Sequence, residues 1–219
     1  MEMDIKIKIG IVDDHAILCD SLKMFLNQRE NIEVILTANS GEELLTNLST
    51  NIEKPDIILL DIDMPKLDGI TLLPIIKDNY PFIRVIMLSF HAELSIIEKT
   101  IKIGASGYVR KGGAIEDIYY AINQVKEYNF FLDDEVIEQL NAEKQKDVHD
   151  EVDNISNRFT ERELEIIKLI CKEKSTKQIA DILNTSIKSI EYNRACLLKK
   201  IKVDSMVGLV YFAIKNNLD

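Results

Sequence analysis

The 219-residue chain has no tryptophan, four prolines and three cysteines. Cys19, Cys171 and Cys196 are far apart and odd in number, which fits neither a disulfide framework nor a zinc site. No apolar run approaches the roughly 20 residues of a membrane span. The opening stretch, MEMDIKIKIGIVDDH, alternates charged and apolar residues and lacks the continuous apolar segment of a signal peptide. These absences together lead us to expect a cytoplasmic protein with no membrane partner. Basic charge is also scarce: 27 Lys and Arg face 37 Asp and Glu, for a net charge of −10. Taken whole, that balance argues against nucleic acid as a partner. Apolar residues make up 46% of the chain, enough for a packed core.

Dividing the chain changes the reading. Residues 1–132 carry 13 basic and 20 acidic groups, residues 133–155 carry 2 and 9, and residues 156–219 carry 12 and 8. A basic end on an acidic body points to two domains with different partners.

From Ile5 to about Val125, short β-rich runs (7–12, 33–38, 56–60, 84–88, 107–109) alternate with helical patterns near 15–28, 40–49, 69–78, 93–103 and 113–127. Such alternation predicts a flavodoxin-like, doubly wound five-stranded parallel sheet in the order 2-1-3-4-5, with its ligand site at the carboxyl ends of the strands. Residues 129–155 read as an acidic linker with one short helix. From Phe159 onward four short helices are expected. Thr160 with Glu163 and Ser175 with Gln178 form capping boxes, and Ser186 and Ser205 cap the last two helices.

The stretch IILLDIDMPKLDG, Ile57 to Gly69, runs an apolar strand straight into carboxylates. With strands one and three adjacent, Asp13, Asp14 and Asp61 cluster. Two carboxylates about 5 Å apart at an effective dielectric near 20 repel by roughly 3 kcal/mol, so either one is protonated or a cation sits among them. Oxygen ligands with room for water suit Mg2+ (or Mn2+). Ser89 and Lys111 stand at two further strand ends. A hydroxyl, an ammonium and a metal around one aspartate make a phosphoryl site.

At this point VDDH (12–15), LLDIDMPKLDG (59–69), LSF (88–90) and GASGYVRK (104–111) appear in order, each at a strand end. Residues 5–128 therefore resemble the receiver domain of a two-component response regulator. The resemblance implies Asp61 as phosphoacceptor, with Asp14 and Asp61 as direct metal ligands. Asp13 would act through water and Asp63 through its backbone carbonyl. It further implies Ser89 and Tyr108 as a switch pair, Lys111 on a phosphoryl oxygen, and a sensor histidine kinase as donor. Asp63 and His91 would flank the site and tune hydrolysis. The same strand-D-x-D also resembles haloacid-dehalogenase-type aspartyl phosphatases. That family carries its D-x-D near the amino terminus and its second acidic cluster late, the reverse of the order here.

Residues 159–216, with FTERELEII, KQIADILNTSIKSIEYNR and LLKKI, resemble the helix-turn-helix output domain of the NarL/FixJ/LuxR regulators. With Ile190, Leu197 and Ile201 inward, the outward stripe of the recognition helix is Lys188, Glu191, Tyr192, Ala195 and Lys199. Arg194, Lys199, Lys200, Lys202 and Lys177 are the candidate contacts to DNA phosphates. Glu191 either accepts from a cytosine amino group or repels the duplex. On the last helix Val207, Val210, Tyr211 and Ile214 share a face for self-pairing or for core packing, and the resemblance favours a homodimer on DNA. The expected function is a response regulator that binds promoter double-stranded DNA, with catalysis limited to its own phosphorylation and dephosphorylation. The alternative is an atypical regulator whose helical domain acts by protein–protein contacts. The charge split adds one expectation: the acidic receiver and linker cover Lys188 to Lys202 until phosphorylation frees them.

Overall fold

The computed structural model describes residues 6–90, 93–133, 136–137 and 158–219. His91 and most of the acidic linker lie outside the described residues. The first domain runs β1 (Ile7–Val12), α1 (Ala16–Asn27), β2 (Ile32–Ala38), α2 (Gly41–Thr50), β3 (Ile57–Asp61), α3 (Gly69–Asn79), β4 (Arg84–Ser89), α4 (Leu94–Ile103), β5 (Gly107–Arg110), α5 (Ile115–Tyr128) and β6 (Phe131–Leu132). Four helices follow: α6 (Glu161–Cys171), α7 (Thr176–Ile182), α8 (Ile187–Ile201) and α9 (Met206–Lys215).

The sheet is parallel, in the order β2-β1-β3-β4-β5-β6. Central β3 is buried at every residue, as a strand covered on both faces must be. Edge strand β2 alternates between buried and more exposed positions. Period-two alternation splits the core in two. Ile9, Ile11, Leu59 and Leu88 pack with α1 and α5. Val12, Leu60, Met87 and Tyr108 pack on the other face, in a core that continues into Ile167, Leu197 and Val207 of the C-terminal helices. The five-stranded expectation is corrected by one strand. Phe131 and Leu132, read as the start of the linker, pair with Gly107 and Tyr108 and bury their side chains.

Five helices begin on a Ser or Thr cap. The side chains of Ser40, Thr160, Ser175, Ser186 and Ser205 each accept the backbone N–H three residues on. Asp68 does the same for α3, accepting from Thr71 at 2.7 Å. The residue after it has no steric freedom. A Cβ at Gly69 would lie 2.1 Å from the carbonyl oxygen of Asp61. The loop after β3 therefore closes back onto the strand end that carries the acid. Gly69→Ala is expected to cost about 2 kcal/mol or more by overpacking, read as a lower urea midpoint with the slope unchanged.

Candidate functional site

Four strand ends meet at one edge of the sheet. Asp13 follows β1, and its N–H donates to the Ala38 carbonyl at 3.1 Å. Asp61 closes β3 and Ser89 closes β4. Lys111 follows β5, tied by its N–H to the Ser89 carbonyl at 2.8 Å. The side chains then converge. Lys111 Nζ lies 2.6 Å from Asp13 Oδ2 and 2.7 Å from Asp61 Oδ1. All three side chains are buried: 4% of Lys111 is exposed, none of Asp13 and 1% of Asp61.

Burial pushes the Asp61 carboxyl above its ordinary range, and the Lys111 ammonium and the Asp63 N–H (3.1 Å) only partly oppose it. For Lys111 burial pulls downward, but the two carboxylates outweigh it and hold the ammonium charged. One positive charge thus serves two buried negative ones. Asp61 Oδ2 is buried and has no hydrogen-bond partner among the described residues. Ligand atoms of Asp13, Asp14, His15 and Asp61 all lie within 4.8 Å of one another. Crowded carboxylate oxygens with one left unsatisfied are a donor set that fits a hard divalent cation.

His15 escaped the sequence reading. Its Nδ1 sits 3.1 Å from Asp13 Oδ1 and 2.9 Å from Asp14 Oδ1, and its own N–H donates to Asp13 at 2.9 Å. Its only sequence signal was its place directly after the acidic pair. Ser89 is buried, with Oγ 3.5 Å from Asp63 Oδ2. The ring of Tyr108 is fully inside. Burial raises its hydroxyl pKa, against the lowering effect of a hydrogen bond with Ser89.

In the C-terminal helices, Lys177, Lys188, Glu191, Tyr192, Ala195, Lys199 and Lys202 are all exposed. The expectation that Lys188 to Lys202 are covered is corrected as far as the receiver goes, since the outward stripe of α8 is exposed among the described residues; the linker's share of that expectation lies outside them. Lys200 is half-buried, paired with Glu163 at 2.7 Å and over the Phe159 ring at 5.1 Å. Arg194 points inward at 7% exposure. It donates to Met206 Sδ (3.1 Å), to Thr176 Oγ1 and to the Tyr128 carbonyl (3.2 Å). It had read as a phosphate contact, but it stands four residues after Ile190 and three before Leu197, on the packed face of α8, where Met206, Thr176 and the end of α5 take up its donors. Val207, Val210, Tyr211 and Ile214 are buried.

Residues 9–123 match the family model for the response regulator receiver domain, and residues 157–213 match that for bacterial regulatory proteins of the luxR family. The chain is a response regulator of the NarL/FixJ/LuxR type. Among its relatives is the transcriptional regulatory protein MctR of Rhizobium johnstonii, 31% identical over 97% of this chain and 95% of that protein. Oxygen regulatory protein NreC of Staphylococcus epidermidis is 31% identical over 96% and 98%. The solved structures of RcsB from Salmonella typhimurium include one at TM-score 0.59 and 25% identity, covering 95% of this chain and 98% of that one. An RcsB–DNA complex matches at TM-score 0.57 and 26% identity, over 95% and 98%.

The regulator's acidic site carries a stability signature. A carboxylate whose folded-state pKa is raised costs stability while ionised, and the cost is relieved as the pH falls through the folded value. At neutral pH Asp61→Asn is therefore expected to raise the thermal midpoint of the metal-free chain by a few degrees, on the order of what 1 kcal/mol does. Lys111→Met leaves both acids without their cation and is expected to cost on the order of 3 kcal/mol. Scanning calorimetry with EDTA checks both.

Proposed function

We propose that Asp61 accepts a phosphoryl group from a sensor histidine kinase and that the basic helices read promoter DNA in response. The observation that carries this reading is the placement of Asp61. It is buried at the carboxyl edge of the sheet, held by Lys111 on one oxygen, without a hydrogen-bond partner among the described residues on the other, and next to the Ser89 strand end. Residues 1–132, with β6 added to the sheet, are the receiver, 133–155 the linker and 156–219 the output domain.

Asp13, Asp14 and Asp61 would hold Mg2+ or Mn2+ together with the Asp63 carbonyl, and the bound ion would neutralise charge on the phosphoryl oxygens. An Asp61 oxygen attacks phosphorus in line. The new O–P bond forms as the donor's P–N bond breaks, and the donor imidazole leaves with the electron pair. Lys111 then keeps a phosphoryl oxygen while Ser89 and Tyr108 adjust to it. No turnover beyond the chain's own labelling and hydrolysis is required of these groups.

The exposed stripe of Lys188, Glu191, Tyr192, Ala195 and Lys199 faces base edges, and Lys177 and Lys202 face phosphates. RcsB has been solved bound to DNA and as dimers on DNA, which supports promoter DNA and a second copy as partners here. Lys200, with Glu163 already on its ammonium, supports the helix more than the phosphate.

Acetyl phosphate with Mg2+ should add one phosphoryl group to the intact chain and none to Asp61→Asn. A label on the variant, or none on either, contradicts the reading, and sustained turnover of a phosphomonoester would instead mark a phosphatase. Glu191→Ala should relax specificity at one base pair by about 1–3 kcal/mol in competition binding. A uniform gain on every sequence would show that Glu191 only repels.

A further inference from the structure

One side chain at the acidic edge has no part in the phosphoryl chemistry described above. His15 stands at the N-cap of α1, where Ser, Thr, Asp or Asn ordinarily turns a side-chain oxygen onto the first helical N–H groups. Its ring makes no such bond. The backbone alone starts the helix, the His15 carbonyl accepting from Leu18 at 2.9 Å and from Cys19 at 3.1 Å. Capping therefore does not account for where the imidazole sits.

The ring lies against the carboxylates instead. The His15 N–H donates to Asp13 Oδ1 at 2.9 Å, and this tight turn brings Nδ1 to 3.1 Å from the same oxygen. Nδ1 is also 2.9 Å from Asp14 Oδ1. Yet that Asp14 oxygen, although buried, has no hydrogen-bond partner among the described residues. The two atoms are side by side without the alignment of donor and acceptor that a hydrogen bond needs. Close approach without bonding geometry is the relation of two ligands of one ion.

A second observation is independent of His15. Asp61 Oδ2, at the end of another strand, is buried and likewise without a hydrogen-bond partner among the described residues, while Lys111 takes the other oxygen at 2.7 Å. Ligand atoms from Asp13, Asp14, His15 and Asp61 thus stand within 4.8 Å of one another. Buried Lys111 closes the inner side of this group, and His15 is its solvent-exposed member.

Ligand type decides the ion. Mg2+ keeps to oxygen and gives up its waters reluctantly. Imidazole nitrogen raises affinity for divalent first-row transition ions, increasingly from Mn2+ to Co2+ and Ni2+, and does little for Mg2+. We infer that His15, through Nδ1, is a direct ligand of the cation held by Asp14 and Asp61, and that it tunes the site toward divalent first-row transition ions. The inference rests on the reading of the acidic edge as a cation site. Ligation through Nδ1 puts the ring proton on Nε2. Phosphoryl input at Asp61 then depends on the supply of such an ion, a second chemical input at the same place.

The test uses the full chain, with Mn2+, Co2+ and Mg2+ as probes. Pulsed electron paramagnetic resonance of the Mn2+-loaded wild type should show modulation from a directly bonded nitrogen, and His15→Asn should lose it. Asparagine caps helices well and can still donate a hydrogen bond to either neighbouring carboxylate, so this variant removes the nitrogen ligand and little else. In calorimetric titrations His15→Asn should bind Co2+ at least about tenfold more weakly than wild type, which is 1.4 kcal/mol, with Mg2+ affinity changed less than about twofold. An equal loss for Co2+ and Mg2+ would show that His15 only orients the carboxylates, and would overturn the inference. Nitrogen modulation that survives in His15→Asn would overturn it too. If both ions bind wild type and variant alike, the imidazole is no ligand and the acidic cation site stands. If no ion binds the wild type, the cation site and this inference fall together.

Discussion

Everything in this molecule depends on one ammonium group among buried carboxylates. Lys111 stands within 2.7 Å of both Asp13 and Asp61, inside a sheet edge that excludes water. A single positive charge cannot satisfy the site, and one oxygen of Asp61 has no hydrogen-bond partner among the described residues. The site is therefore poised to take more positive charge or to change the charge it holds. A divalent cation would answer the first need and a phosphoryl group would exploit the second. The parallel sheet exists in the form it does because β1, β3, β4 and β5 must each deliver one group to the same point.

That point connects to the other end of the chain through packing. Ser89 and Tyr108 lie beside the acidic edge, and Tyr108 shares its core with α4. Helix α4 in turn holds α9 through Glu98. The path is short and runs through the packed core around Tyr108 and the hydrogen bond from Tyr211 to Glu98.

Much of this was legible in the chain itself. Strands β3 and β4 showed as unbroken apolar runs because both of their faces are covered. The helix starts showed because Ser and Thr side chains have a specific task there, repeated at Thr160, Ser175 and Ser186. The acidic cluster showed because carboxylates at strand ends have few structural reasons to exist. Strand β6 was hidden by its length, since two residues make no pattern. His15 was hidden because a lone histidine after an acidic pair carries no periodic signal. The domain seam was least visible. Glu98 and Arg194 look like ordinary helix-surface charges, and only docking turns one into an acceptor for Tyr211 and the other into a cap on α5. Helical spacing tells which residues share a face and says nothing about which domain will cover it.

The most direct test of the central claim is a calorimetric titration of Mg2+ into the full chain, repeated on a variant with Asp14 and Asp61 both changed to Asn. The account predicts one saturable site in the wild type that disappears in the variant. No binding to the wild type, or binding unchanged by loss of those carboxylates, would contradict it.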